Sequence, residues 1–294
     1  MIGQVMRSTA IIFTLGFAII SIFGKFNYVA IFKGELGKRY LSWIFLVAFY
    51  LLTVFFASNL CIRLAVGTVI LFSLLEYSRA CRLKSFYLVF LILFTLFSFA
   101  IADFSPQLYP VLIPLFSLLL AVATIFQERV EELYQQVSYT SRVYLYIVWT
   151  LGHFCLFQYL DNARGWLVII GFGVALSDVF AFVVGKTFGS HVISKKVNTA
   201  KAYEGIAGNL LGAALAIFLF RYLIPAPFPI YKLALLWLII GLGSVTGDLI
   251  SSLHKRHLGI KDWGDCIPGH GGVMDRINSF IVVVPTCFYF LKYF

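Results

Sequence analysis

Apolar residues in this chain fall in long runs, interrupted by short polar gaps, rather than in the alternating pattern of a strand or the striped pattern of a soluble helix. The runs cover about residues 8–24, 41–60, 62–76, 86–102, 109–126, 143–160, 165–185, 206–223, 232–250 and 279–293. A helix crosses the ~30 Å hydrocarbon core of a bilayer with about 20 mostly apolar residues. The pattern therefore predicts an all-α protein, a polytopic transmembrane helix bundle of nine or ten spans. Such a count uses up nearly all of the 294 residues and leaves no room for a separate soluble domain.

Composition agrees with the pattern. Hydrophobic residues make up 61% of the chain and charged residues 12%, against roughly 25% charged in a soluble domain. The net charge of +10 could suggest a nucleic-acid partner, but the cations sit in short gaps between apolar runs. Membrane topology and anionic headgroups account for them, and nucleic-acid binding is set aside. Alternate gaps, at residues 25–39, 79–84, 129–142, 186–201 and 255–276, hold 17 of the 23 lysines and arginines. By the positive-inside rule these gaps face the cytoplasm and the N-terminus faces outward. The first run, with only Arg7 before it and no small-residue cleavage site after it, reads as a retained span. The gap at 127–142 reads as an amphipathic helix lying in the interface. Five cysteines with no CxxC pair point to apolar fillers rather than to a zinc site or a disulfide framework.

Polar chemistry is concentrated in the second half, which divides the chain into N-terminal helices (1–164) and a functional membrane region (165–294). Two basic segments stand out there, at 185–205 and 247–278. In the second, Asp248 ends an apolar run and Asp275 precedes the last one. Ionisable groups at membrane depth are costly and mark function by default. Paired carboxylates that also meet phosphates suit Mg²⁺, which takes oxygen ligands and keeps waters; the bland reading makes both of them helix caps. Between them stand Lys255, Arg256, Lys261, the PGHGG turn at 268–272 and Arg276. Cations and closely approaching glycine amides together describe a phosphate site. His270 reads as a site residue, orienting a phosphate, acting as an acid or bonding within its turn; His254 and His257 read as interfacial contacts. The first segment adds Lys186, His191, Lys195, Lys196, Lys201 and Glu204. Upstream of it, Asp178 lies within an apolar run, as a site residue or as a structural partner for a neighbouring helix.

The residues Ser252, Lys255-Arg256, Lys261-Asp262, Gly264, Ile267-Pro268, His270-Gly271-Gly272, Val273, Asp275-Arg276 and Ile277 keep every spacing of one signature. In this the chain resembles the phosphatidate cytidylyltransferase (CDP-diacylglycerol synthase) family. His254 stands where that family has a hydrophobic residue, and Asn278 where it has Asp. A weaker likeness runs upstream through Asp178, Ala181, Gly185, Gly189, Lys201, Glu204 and Gly205.

The resemblance implies a helical membrane enzyme that converts CTP and phosphatidate to CDP-diacylglycerol and pyrophosphate with Mg²⁺. It further implies a metal centre at Asp248 and Asp275. Lys255, Arg256 and His270 join these two as catalytic candidates. Asp178, Lys201, Glu204, Lys261, Asp262, Gly271, Gly272 and Arg276 are candidates for substrate binding. The expected location is the bacterial inner (cell) membrane with the site facing the cytoplasm, and a homodimer is left open. Two other readings stand beside this one: a relative acting on another lipid phosphate, suggested by the altered stretch 198–203, and a non-catalytic transporter or interaction protein. Transporters place charges at the bilayer midplane, whereas here they cluster at one face.

Overall fold

Eleven helices of seven or more residues dominate the described residues, because uninterrupted apolar sequence in lipid must satisfy its backbone polar groups internally. The structure, a computed structural model, describes residues 2–23, 35–56, 58–125, 130–267 and 271–294. In chain order the helices are α1 (Ile2–Phe23), α2 (Glu35–Phe56), α3 (Asn59–Cys81), α4 (Ser85–Phe104), α5 (Leu112–Ile125), α6 (Val130–Val143), α7 (Thr150–Leu156), α8 (Ala163–Phe188), α9 (Tyr203–Leu219) and α10 (Ile230–His257). They are followed by the single turn α11 (Met274–Ile277) and by α12 (Phe280–Tyr293). Six described segments are long and apolar enough to cross a membrane: Ile2–Ile22, Asn59–Cys81, Ser85–Phe104, Pro106–Ile125, Ala163–Phe188 and Ile230–His257. Three shorter apolar helices, Tyr40–Phe56, Tyr203–Leu219 and Phe280–Tyr293, accompany them. The chain is an all-α polytopic membrane protein.

One local expectation changes and another gains detail. The segment after α8, expected as a loop, contains a small antiparallel hairpin, β1 (Val192–Ser194) with β2 (Asn198–Ala202), in which Val192 pairs with Ala202. The helix α6 does not lie alone in the interface. It runs through a π-helical turn (Tyr144–Trp149) directly into α7, and its Thr140 and Val143 are fully buried. Gln136 accepts from Lys84 N at 3.0 Å and donates to Arg82 O at 3.3 Å, which stitches α6 to the α3–α4 turn. Gln136, Thr140 and Val143 form its buried face while Tyr134 and Gln135 stay exposed, the two-sided pattern of an amphipathic helix.

The α8–α9 pair is the closest crossing that bears on function. A side chain at Gly208 or Gly212 of α9 would collide with the backbone of α8 at Phe180–Ala181 and at Leu176–Ser177. In lipid, where apolar burial does not drive helices together, such small-residue contacts set the packing. Ser177 donates to Asn209 O at 2.8 Å across the same contact. The N-terminal helices join this region in one apolar core: Ser8 donates to Leu219 O at 3.0 Å, and Tyr50 to Leu167 O at 2.6 Å.

Candidate active site

Both basic segments arrive at the same end of the bundle. The helix α8 ends there at Phe188, the hairpin returns the chain to α9, and α10 ends there at His257. Asn198 on β2 donates to Ser252 Oγ at 3.0 Å, and Arg256 donates to Val197 O at 3.3 Å. The hairpin thus lies against the signature segment. Gly247 on α10 has no room for a side chain, since one would meet Asn278 O and Ser279 Cα. That close approach brings the next residue, Asp248, onto the turn that follows α11.

The result is a chain of paired charges. Asp248 accepts from Asn278 Nδ2 at 2.9 Å and forms an ion pair with Lys201. Asp178, on α8, accepts from Ser279 Oγ at 3.1 and 3.3 Å. Burial alone would pull the Lys201 ammonium down. The Asp248 and Asp178 carboxylates outweigh it and raise the group above the ordinary lysine value, so it stays charged at neutral pH. One helical turn before Asn278, Asp275 accepts from Lys255 Nζ at 2.6 Å, from Trp263 N at 2.9 Å and from Gly272 N at 3.2 Å. Residues three apart share a helical face, so Asp275 and the Asn278–Asp248 pair adjoin on one side of the turn. Each of the two expected metal-holding carboxylates, Asp248 and Asp275, therefore carries one lysine ammonium.

The other expected residues are placed as follows. Arg256 donates to the backbone oxygens of Val197 and Ile260. Lys261, Asp262 and Arg276 are exposed. Glu204, in the first turn of α9, accepts from Ser190 Oγ at 2.8 Å and pairs with His191 Nδ1 at 2.7 Å. Gly271 adopts a left-handed conformation (φ +82°) and its oxygen accepts from Ile267 N. The Gly272 amide, expected to face a phosphate, is used by Asp275. His254 packs edge-on to the Tyr146 ring at 4.8 Å. His270 lies outside the described residues. A cavity of about 360 Å³ opens at the opposite end of the bundle between Trp166, Phe228, Lys232 and Lys292; none of the residues above lines it.

Sequence reasoning missed two contributors. Trp263, 5% exposed, donates its ring N–H to Ser251 Oγ at 3.0 Å and stacks on Tyr77 of α3 at 5.1 Å. Glu76, also on α3 and 4% exposed, accepts from Val273 N and Met274 N, each at 2.9 Å. The N-terminal helices, read as lacking site chemistry, thus supply a carboxylate to the signature turn. An acidic residue closing an apolar run was the signal that could have found it.

Oxygen donors fit Mg²⁺ here. Among the described residues no three His, Cys, Asp or Glu side chains converge on a metal position. Mg²⁺, however, is usually held by one or two carboxylates plus substrate phosphates and water, and Asp248 and Asp275 supply that number. Both carboxylates already balance a cation, which is what a divalent ion would displace.

The chain matches the cytidylyltransferase family over residues 37–294. It is 29% identical over 237 residues to a phosphatidate cytidylyltransferase of Bacillus subtilis, an alignment covering 78% of this chain and 87% of that protein. A phosphatidate cytidylyltransferase of Mycobacterium bovis is 38% identical over 136 residues, covering 44% of this chain and 43% of that protein. The chloroplastic phosphatidate cytidylyltransferase 4 of Arabidopsis thaliana is 39% identical over 121 residues, covering 41% of this chain and 30% of that protein. The match to the family runs through the N-terminal helices as well as the signature segment, and the chain belongs to the cytidylyltransferase family.

Proposed function

We propose that this protein transfers CMP from CTP to phosphatidate, yielding CDP-diacylglycerol and pyrophosphate. The observation that carries this reading is the pair of lysine-neutralised carboxylates, Asp248–Lys201 and Asp275–Lys255, set at one end of a membrane bundle where a lipid headgroup can meet a soluble nucleotide. In the reaction a phosphate oxygen of phosphatidate attacks the α-phosphorus of CTP. The bond from that phosphorus to the bridging oxygen of the β-phosphate breaks, and the electron pair leaves with pyrophosphate. The lipid phosphate is already an anion at neutral pH, so no strong base is needed. Phosphoryl and nucleotidyl transfers depend chiefly on positioning and charge neutralisation.

Asp248 and Asp275 would hold Mg²⁺, which when bound neutralises charge on the triphosphate. Lys201 and Lys255 then serve two states: each balances a carboxylate in the resting protein and is available to phosphate oxygens once that carboxylate has another cation. Exposed Arg276 and Lys261 extend the positive surface outward for the nucleotide, and Arg256, held by two backbone oxygens, fixes the hairpin against the signature segment.

A cytoplasmic position for the site end, at the bacterial cell membrane, is supported by the two lysine- and arginine-rich segments that meet there, 186–201 and 255–276. Cys266, an exposed free thiol in the signature segment, tests this. In a variant keeping Cys266 as its sole cysteine, a membrane-impermeant maleimide should label only after the membrane is permeabilised. Labelling from outside intact cells would place the site on the wrong face.

A further inference from the structure

We propose that Glu76, contributed by the N-terminal helix α3, is a positioning residue that holds the signature turn in its working geometry; this rests on the reaction proposed above. Its carboxylate oxygens each take one amide, Oε1 from Val273 and Oε2 from Met274, across nearly 200 residues of sequence. Hydrogen bonds from amides to a carboxylate are charge-assisted and stronger than neutral ones. These amides open the turn α11, where N–H groups lack partners within the helix. The next residue is Asp275, whose carboxylate gathers Lys255, Trp263 N and Gly272 N. One carboxylate from each half of the chain therefore ties down the amides of Trp263, Gly272, Val273 and Met274.

The signature glycines support the assignment. A Cβ at Gly264 would stand 2.8 Å from Glu76 Oε1, and one at Gly272 would stand 2.7 Å from Glu76 Oε2. The carboxylate alone closes Gly264, and at Gly272 it does so together with the Gly264 nitrogen. Glu76 thus fills the space beside Gly264 and Gly272, while the Gly272 amide itself goes to Asp275. The neighbouring Tyr77–Trp263 stack, 5.1 Å between rings and 19° from parallel, clamps the other end of the segment to α3. Shifting Glu76 would shift Asp275, and with it Lys255 and Arg276, without any contact between Glu76 and substrate.

The test is Glu76→Gln in the full-length, detergent-purified protein. Gln keeps the shape, removes the charge and turns one acceptor into a donor facing an N–H. Amide exchange should speed up about tenfold or more in the peptide containing Val273 and Met274 and stay unchanged in α8 and α12. In CTP turnover with phosphatidate, kcat should fall about thirtyfold and KM for CTP should rise about fivefold. Loss of folded enzyme would lower kcat and leave KM alone. Should Glu76→Gln fail to fold, Gly264→Ala intrudes on the same carboxylate alone and should give the same paired change. Unchanged exchange at Val273 and Met274, or faster exchange with kcat and KM within twofold of the parent, would overturn the proposal. A parent protein without CTP turnover would refute the reaction instead, and the exchange arm would still decide the role of Glu76.

Discussion

Replacing Asp275 with Asn is expected to abolish CTP-dependent turnover and also to weaken the protein. Asp275 and Lys255 form the less exposed of the two site ion pairs, with side chains 5% and 13% exposed. Removing one partner of a buried pair leaves the other charge uncompensated, at a cost of about 3–5 kcal/mol. An Asn side chain has a single oxygen to offer, so it cannot serve Lys255, Trp263 N and Gly272 N as the carboxylate does. The loop would loosen where the geometry must be tightest. We expect turnover to drop by at least about a thousandfold, roughly 4 kcal/mol in transition-state terms. The melting temperature in detergent should fall with it. Activity within a few-fold of the parent would exclude Asp275 from both roles.

Asp248→Asn should have a different signature. The Asp248–Lys201 pair is more open, with side chains 19% and 25% exposed, so water can partly solvate the stranded ammonium. Its contribution to stability is correspondingly smaller, about 1 kcal/mol. Asn can still meet Asn278 through its amide oxygen. Turnover should nonetheless fall by at least about a hundredfold, since one charge of the Mg²⁺ ligand set is gone. The thermal stabilisation that Mg²⁺ gives the parent should shrink, because a cation stabilises the fold only as far as the fold binds it. A variant with parental activity and an undiminished response to Mg²⁺ would remove Asp248 from the metal site. The contrast between the two variants separates carboxylates that look alike in sequence.

What was legible in the sequence follows from what is local. Apolar runs announce helices because lipid leaves the backbone no alternative, and the fixed spacing from Ser252 to Ile277 announces a single site because Lys255, at a helix end, and Asp275, in the next helical turn, come together. The ends of Asp178 and Lys201 could be guessed but not joined: their meeting with Asp248 depends on Gly208 and Gly212 letting α9 press against α8. The hairpin at 192–202 was hidden because its strands are short and carry no alternation of apolar and polar residues. Glu76 was out of reach for a different reason. Its partners are two backbone amides nearly 200 residues away, and an amide has no letter in the sequence. Asn278, which stands where the resembled family has Asp, donates to Asp248, a bond that an Asp there could make only if one of the two carboxylates were protonated.

One assay tests cytidylyl transfer to phosphatidate most directly. Membranes containing this protein as their sole added cytidylyltransferase are supplied with CTP labelled in the cytidine ring and with a panel of lipid phosphates, with Mg²⁺ or with a chelator. The account predicts label in a lipid product when phosphatidate and Mg²⁺ are present, release of one pyrophosphate per product, and loss of both with the chelator. Label entering lipid only with a polyprenyl or other lipid phosphate would move the protein to a different substrate. Failure to label any lipid across the whole panel would contradict the enzymatic reading itself.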